Sequence, residues 1–257
     1  MPVELRLDVR KSFWENIAVY HERAKKLKRK IKKLEELIAN PPKEEQEEER
    51  RTVDIVKKRK RDWYEHFRWS FTSGGRLIIA GRDARTNETI VRKYLEPKDI
   101  FFHADVVGAP STVLKDGQNA SEEEITEAAI LAASFSRAWK AGWPSVDVFY
   151  VTPEQVSLAP PSGEYRPKGG VMIYGKKNWV RDAPLRLFIS FDEEKGRFFV
   201  SPFQPAPPYV LIVPGRMDKG ELAKKILALF GKDRIHLNDL NALLPPGGSD
   251  IREKVLK

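Results

Sequence analysis

The strongest constraint on the fold is a run of apolar residues that recurs every three or four positions near the start of the chain. Its members are Phe13, Ile17, Tyr20, Ala24, Leu27, Ile31, Leu34 and Ile38. Alternating steps of four and three keep these side chains on one stripe of an α-helix, which is the pattern of a coiled coil. Pro41 and Pro42 end the helix, because proline donates no backbone hydrogen bond and restricts the residue before it.

A second stripe with the same spacing follows the two prolines. It consists of Val53, Val56, Lys60, Trp63 and Phe67. Two helices with matching stripes and a short connection favour an antiparallel hairpin. The sequence therefore predicts a helical hairpin, a short coiled coil, over residues 1–66.

Basic residues are concentrated in both predicted helices, and folding the chain back around residues 42–44 brings them to one level. We call this predicted feature the basic collar. Its members are Lys25, Lys26, Lys28, Arg29, Lys30, Lys32 and Lys33 in the first helix and Lys57, Lys58, Arg59, Lys60 and Arg61 in the second. Packed like charges repel each other, and a nucleic acid relieves this repulsion because its phosphates exchange their counterions for the protein's cations. The chain as a whole, with 46 basic against 37 acidic residues, also favours a polyanionic partner.

Composition and motifs exclude several classes of protein. Without cysteine the chain cannot form disulfides, iron–sulfur clusters or cysteine nucleophiles. No apolar run approaches the roughly 20 residues of a membrane helix, and the first residues lack the features of a secretory signal. Phosphate-binding, dinucleotide-binding and serine-hydrolase motifs are absent, and the histidines lack the spacing of metal ligands. We therefore expect a cytoplasmic protein that contacts no membrane and uses no metal or cofactor.

The remainder of the chain predicts an α+β fold with a mixed sheet. We expect an α+β domain over residues 67–195 and a C-terminal part, residues 196–257, whose strands and small helix pack on it. Strands are predicted at 68–72, 77–80, 99–107, 111–115, 145–151, 171–174, 185–191, 196–200 and 209–213. A short helix should be capped by Thr86 or Asn87, and a long helix should begin after Ser121 and end at Gly142. Because this long helix connects two strands as a parallel crossover, the sheet should be mixed.

Two glycine turns and one strand carry the candidate site residues of this domain. Gly81-Arg82-Asp83 and Gly175-Lys176-Lys177-Asn178 can each present backbone N–H groups and a cation to a phosphate. His103 and Asp105 lie on one face of an apolar strand. One interpretation of the two residues is a structural hydrogen-bonded pair, and the second is a hydrolytic or RNA-processing site. A third reading of the chain treats the acidic hairpin tip, residues 40–50, as a docking arm for a protein partner.

Four segments of the chain, in this order, closely resemble the NFACT-R domain, the RNA-binding lobe of the ribosome-associated quality-control factors. They are residues 67–88 (FRWSFTSGGRLIIAGRDARTNE), 99–117 (DIFFHADVVGAPSTVLKDG), 128–142 (AAILAASFSRAWKAG) and 163–179 (GEYRPKGGVMIYGKKNW). The preceding helix resembles the start of the family's coiled coil, and the tail resembles that of archaeal members. The family's N-terminal lobe has no counterpart here, so the chain is either a natural stand-alone form or a C-terminal portion.

The resemblance implies a non-catalytic RNA-binding module that acts on large ribosomal subunits obstructed by a nascent chain on tRNA. The implied partners are tRNA, large-subunit ribosomal RNA and the ribosome, with a separate chain as a source of the N-terminal lobe. We predict RNA contacts from the hairpin and from the body of the domain. The predicted residues are Lys25, Lys26, Lys28, Arg29, Lys30, Lys57, Lys58, Arg59, Lys60, Arg82, Asp83, Asn87, His103, Lys176 and Lys177.

Overall fold

Helix α1 spans Phe13–Ala39, which confirms the first helix that the sequence predicts. Ser12 and Glu15 fix its start. The backbone N–H of Ser12 donates to Glu15 Oε2 at 2.7 Å, and the backbone N–H of Glu15 donates to Ser12 Oγ at 3.3 Å. This reciprocal pair satisfies two N–H groups that the helix itself cannot pair.

The computed structural model of the protein describes residues 8, 12–39, 62–159, 169–232 and 236–256. The chain divides into two units, Met1–Arg59 and Lys60–Lys257. Most of the second helix of the predicted hairpin lies outside the described residues, but its last two stripe positions are described: Trp63 begins a short 3₁₀ helix, Trp63–His66, and Phe67 follows it in an extended conformation, where the sequence predicted a continuing α-helix. The hairpin and its collar therefore stay predictions, whereas α1 is confirmed.

An antiparallel sheet of six strands is the centre of the second unit. In spatial order its strands are β1 (Arg68–Phe71), β2 (Leu77–Ala80), β4 (Thr112–Leu114), β3 (Ile100–Ala104), β5 (Ser145–Val151) and β8 (Asn178–Pro184). Neighbouring strands all pair antiparallel. The predicted crossover exists, but β3 lies between the two strands that it joins, β4 and β5. The α+β class is thus confirmed, while the expected parallel neighbours of a mixed sheet are replaced by antiparallel ones.

A second antiparallel sheet combines one strand from residues 67–195 with three strands of the C-terminal part. Its strands, in spatial order, are β10 (Arg197–Ser201), β9 (Leu187–Asp192), β11 (Tyr209–Met217) and β12 (Ser249–Val255). A two-stranded ribbon, β6 (Val156–Ser157) with β7 (Met172–Ile173), is separate from both sheets. Buried side chains of both large sheets belong to one hydrophobic core.

Five further helices accompany these strands in the described part of the chain. They are α2 (Ala84–Lys93), α3 (Glu122–Ser134), α4 (Arg137–Ala141), α5 (Lys219–Leu229) and α6 (Leu237–Leu243). The single helix predicted between Ser121 and Gly142 is in fact two, α3 and α4. Ser136 causes the break, because its hydroxyl donates to Ala133 O at 2.7 Å and accepts from the backbone N–H of Ala138 at 3.1 Å. It thereby caps a new helix.

Helix α3 covers one face of the six-stranded sheet through a surface of small side chains. Ala128, Ala129 and Ala132 are completely buried there, as is Phe102 on the sheet. Alanine permits this close approach because it has no side chain beyond Cβ. In the part of the chain that the structure describes, no helix is both long enough and apolar enough to cross a membrane.

Candidate nucleic-acid interface

The basic residues of α1 are exposed to solvent. Lys25, Lys26, Lys28, Arg29 and Lys30 all lie in this helix with exposed side chains. The collar residues predicted in the second helix, Lys57, Lys58, Arg59 and Lys60, lie outside the described residues. The structure therefore presents one of the two basic runs, and their convergence stays a prediction.

In the second unit, four of the predicted site residues line one cleft. Arg82, Asp83, Asn87 and His103 surround a cavity of about 570 Å³, which we call the cationic cleft. Its other walls come from the loop after β3, from the break between α3 and α4 and from the segment before β7. Together with β1 and the turn that holds Arg82, these segments supply the remaining lining residues, which are Arg68, Gly81, Ala84, Val107, Gly108, Ala109, Pro110, Phe135, Arg137, Gly169 and Gly170.

The turn between β2 and α2 is built around Asp83. Its carboxylate accepts hydrogen bonds from the backbone N–H and the hydroxyl of Thr86, at 2.8 and 2.9 Å. Both hydrogen bonds lower the pKa of Asp83 below its ordinary value, and the bond from the backbone N–H has the larger effect. Asp83 therefore caps α2, where the sequence predicted Thr86 or Asn87 as the cap. Its carboxylate is occupied within the turn.

Asn87 closes the same wall of the cleft. Its Oδ1 accepts a hydrogen bond from the backbone N–H of Ser111 at 3.1 Å and so connects α2 to the loop before β4. A Cβ atom on Gly81 would lie 1.8 Å from this oxygen, which explains the glycine at the start of the turn. Asn87 thus shapes the wall of the cleft through its bond to the main chain.

Arg82 connects the cleft to the short 3₁₀ helix that precedes β1, Trp63–His66. Its guanidinium donates to the backbone oxygens of Glu65 and Phe67, at 3.2 and 2.9 Å. The side chain remains exposed. Arg82 is therefore a positioned cation, since these two bonds hold it in place.

Two further arginines of the cleft were not predicted from the sequence. Arg68 donates to the backbone oxygen of Phe135 at 3.0 Å, and its guanidinium lies 4.6 Å from the centre of the Phe135 ring. Burial is the main cause that lowers the pKa of Arg68, and repulsion from the positive charge of Arg82 lowers it further, to about 10. The Arg68 guanidinium is therefore still charged at neutral pH. Arg137 is exposed, and no hydrogen bond or ion pair joins its side chain to another of the described residues. Its guanidinium is thus available to a ligand.

Lys219 adds to the positive charge near the cleft. Burial, followed by repulsion from Arg68 and Arg82, lowers the pKa of Lys219 to about 8. Its ammonium donates to the backbone oxygen of Leu244 at 3.0 Å. Asp83 is the single carboxylate among the described residues that line the cleft. The cleft is therefore electropositive, and an anion such as a phosphate would relieve the mutual repulsion of its cations.

A second pocket lies beside the cationic cleft and shares His103, Val107 and Gly170 with it. We call it the aromatic pocket, and its volume is about 550 Å³. Lys177 lines it, with its ammonium 4.2 Å from the centre of the Phe149 ring. Lys176, although exposed, lines neither pocket, so only one of the two predicted lysines of that turn is brought to this site.

His103 and Asp105 do not form a hydrogen-bonded pair among the described residues. His103 is half-buried at the end of β3, and Asp105 follows just beyond the strand with an exposed side chain. Burial lowers the pKa of the His103 imidazole below its ordinary value, so the ring is predominantly neutral at neutral pH. The hydrolytic reading of this pair stays a hypothesis, and the predicted docking tip at residues 40–50 lies outside the described residues.

Comparisons with known proteins point to one kind of domain. The NFACT protein RNA binding domain family matches residues 66–175 of the chain. The Archaeal Rqc2 homolog aRqcH of Methanocaldococcus jannaschii is 39% identical over 207 residues, which are 77% of this chain and 30% of that protein. The Ribosome quality control complex subunit NEMF homolog of Drosophila melanogaster is 41% identical over 139 residues, which are 53% of this chain and 14% of that protein.

Among solved structures, the chain aligns with the C-terminal of the fibronectin/fibrinogen-binding protein from Streptococcus suis. The TM-score is 0.40 at 25% sequence identity, over 53% of this chain and 49% of that chain. The chain spans 30% of the length of the archaeal relative and 14% of the Drosophila relative.

Proposed function

Residues 66–175 belong to the family of NFACT RNA-binding domains, and from this premise we propose that the chain binds RNA at the ribosome. The proposed partners are the large subunit and tRNA, and the proposed process is quality control of stalled translation in the cytoplasm. The names of the relatives support this process, since the Drosophila protein is named as a ribosome quality control complex subunit. The proposed function is binding and requires no catalytic step.

The observation that carries this proposal is the convergence of three guanidinium groups on one cleft. Arg68, Arg82 and Arg137 come from three separate segments and line the same cavity. Asp83, the one carboxylate beside them in the described lining, already accepts two hydrogen bonds from Thr86. A phosphate of an RNA strand fits this arrangement because guanidinium groups bind phosphate oxygens with two parallel hydrogen bonds.

Phosphate contacts fix the position of an RNA without reading its sequence. The exposed basic residues of α1 would add contacts of the same kind, and those predicted in the second helix would extend them. We therefore expect affinity for tRNA and for ribosomal RNA with little dependence on sequence. The affinity should fall steeply with salt, because each neutralised phosphate releases counterions.

The experiment is a titration of tRNA, and separately of purified large subunits, with the full chain at increasing salt. The reversal pair Lys28→Glu with Arg29→Glu should lower the affinity by roughly tenfold or more, because these cations then no longer neutralise phosphates. The reversal pair Lys58→Glu with Arg59→Glu tests the second half of the predicted collar in the same way.

Lys224 and Lys225 provide the matched control, since both are exposed on a helix of the second unit, α5. Reversing their charges changes the net charge by the same amount, and neither residue lines the cleft or belongs to α1. A smaller loss of affinity for the control pair supports the proposal. Binding that is absent, or that does not change with salt, would contradict it.

A further inference from the structure

The aromatic pocket and the cationic cleft adjoin, and we call the two together the groove. They share His103, Val107 and Gly170, and 81% of the surface of Val107 is exposed. A strand of RNA that places a phosphate in the cationic cleft would therefore bring its next nucleotide to the aromatic pocket.

Three rings form a row across the sheet, and two of them, His103 and Phe149, line this pocket. His103 lies opposite Phe149, and Phe149 lies opposite Trp179, on the adjacent strands β3, β5 and β8. Their ring centres are 5.7 Å apart in both steps. The row ends at β8, the last strand of the sheet, so it reaches the open edge. Rings at sheet positions of this kind are common stacking surfaces for unpaired bases.

Cations lie against the same rings. The Lys177 ammonium is 4.2 Å from the centre of Phe149, and the Arg181 guanidinium is 4.3 Å from the centre of Trp179. Lys177 covers Phe149, of which only 6% is exposed. Its flexible side chain can leave the ring when a base takes its place, and the released ammonium can then pair with a neighbouring phosphate.

We propose that the aromatic pocket binds the base of an unpaired nucleotide, which stacks on Phe149 and His103 while its strand passes through the cationic cleft. This inference rests on the proposed function and adds to it the kind of RNA that the groove accepts. A continuous duplex cannot occupy the pocket because its bases are paired and stacked inside the helix. The groove should thus select single-stranded segments, loops or ends.

The test compares three labelled RNA probes of equal length, measured by fluorescence anisotropy with the full chain, of which the single strand and the abasic strand also have equal phosphate numbers. One probe is single-stranded, one is the same strand in a blunt duplex, and one is the same strand without bases. The intact single strand should bind more tightly than the abasic strand by roughly fivefold to a hundredfold, the contribution of one or more stacked bases. The duplex should also bind less tightly than the single strand.

Phe149→Leu should remove this preference, because leucine offers no ring on which a base can stack. Phe191 is a matched control ring in the second sheet, with 8% exposure, a lysine at 4.1 Å and a histidine ring at 5.3 Å. Phe191→Leu should keep the preference. His103→Leu, at a half-buried position, provides a second variant in case Phe149→Leu lowers the melting temperature.

The outcomes separate the two proposals. If the intact and the abasic strand bind equally well, the pocket does not hold a base, and the proposed function stands without this inference. If none of the three probes binds, the proposed function itself fails. A preference for bases that survives both Phe149→Leu and His103→Leu also overturns the inference, because the bases are then bound elsewhere.

Discussion

Arg137→Gln separates the binding role of the cleft from its structural role. The Arg137 side chain is exposed and forms no hydrogen bond or ion pair with another of the described residues. Glutamine retains most of the length of the side chain but removes its charge. We therefore expect the melting temperature to stay within a degree or two of the wild type, while the affinity for RNA decreases.

The size of that decrease follows from the single phosphate that Arg137 would bind. A hydrogen bond to a charged group contributes about 1.5 kcal/mol or more, which corresponds to roughly a tenfold loss of affinity. Each phosphate contact to a single strand changes the slope of log affinity against log salt by about 0.7. For a fourfold increase in salt, the ratio of wild-type to variant affinity should therefore shrink by about 2.6-fold.

The assay is anisotropy of a labelled single-stranded RNA at four or five salt concentrations. Arg186→Gln is the control, since Arg186 is also exposed and lines neither pocket. An Arg137→Gln slope equal to that of the wild type would refute the reasoning, because Arg137 would then contact no phosphate. So would an equal change of slope in Arg186→Gln, because the effect would then be one of net charge.

Two further substitutions test the packing behind the cleft. Gly108→Ala should weaken RNA binding about as much as Arg137→Gln. Gly108 has a positive φ of 84°, and a Cβ atom there would lie 2.5 Å from Arg137 Nε, so the substitution should displace the Arg137 side chain. Unchanged affinity would show that the loop tolerates the methyl group. Glu124→Ala should lower the free energy of unfolding in urea by about 2–4 kcal/mol, because Glu124 is buried and bonded to Thr72 and Arg76, each at 2.6 Å. The hydrogen bond from the Thr72 hydroxyl makes the largest contribution to lowering the pKa of Glu124 from 4.5 to about 2, and Arg76 contributes as well. The stabilisation of the folded state by the Glu124 carboxylate should therefore be complete above pH 4.5 and decline as the pH falls towards 2. A wild-type advantage over Glu124→Ala that stays constant from pH 6 to pH 3 would contradict this assignment.

The parts of the fold that were predictable are those set by local chemistry. The stripe and the prolines predict α1, and the Ser121 capping box predicts the start of α3. Strands β8 and β12 were missed because both are edge strands with charged, exposed residues and little apolar alternation. The break at Ser136 was also missed, since the apolar pattern continues through it.

The candidate site was predictable only in part, for a similar reason. The glycine turn and the polar strand residue point to Arg82 and His103, which do meet at the cleft. Arg68 and Arg137 come from the first strand and from a helix break, and only the tertiary fold brings them together. The role of Asp83 is local, because its carboxylate accepts hydrogen bonds from Thr86 within the same turn. Sequence patterns reveal local roles, whereas the electropositive cleft depends on contacts between distant segments.

Ultraviolet crosslinking of the full chain to bound tRNA, followed by mass spectrometry of the modified peptides, would locate the RNA on the surface of the protein. We predict nucleotide adducts on the peptides that contain Arg82, His103 to Val107, and Arg137, which form walls of the two pockets. Adducts that are absent from all three peptides and confined to the C-terminal sheet would contradict this prediction.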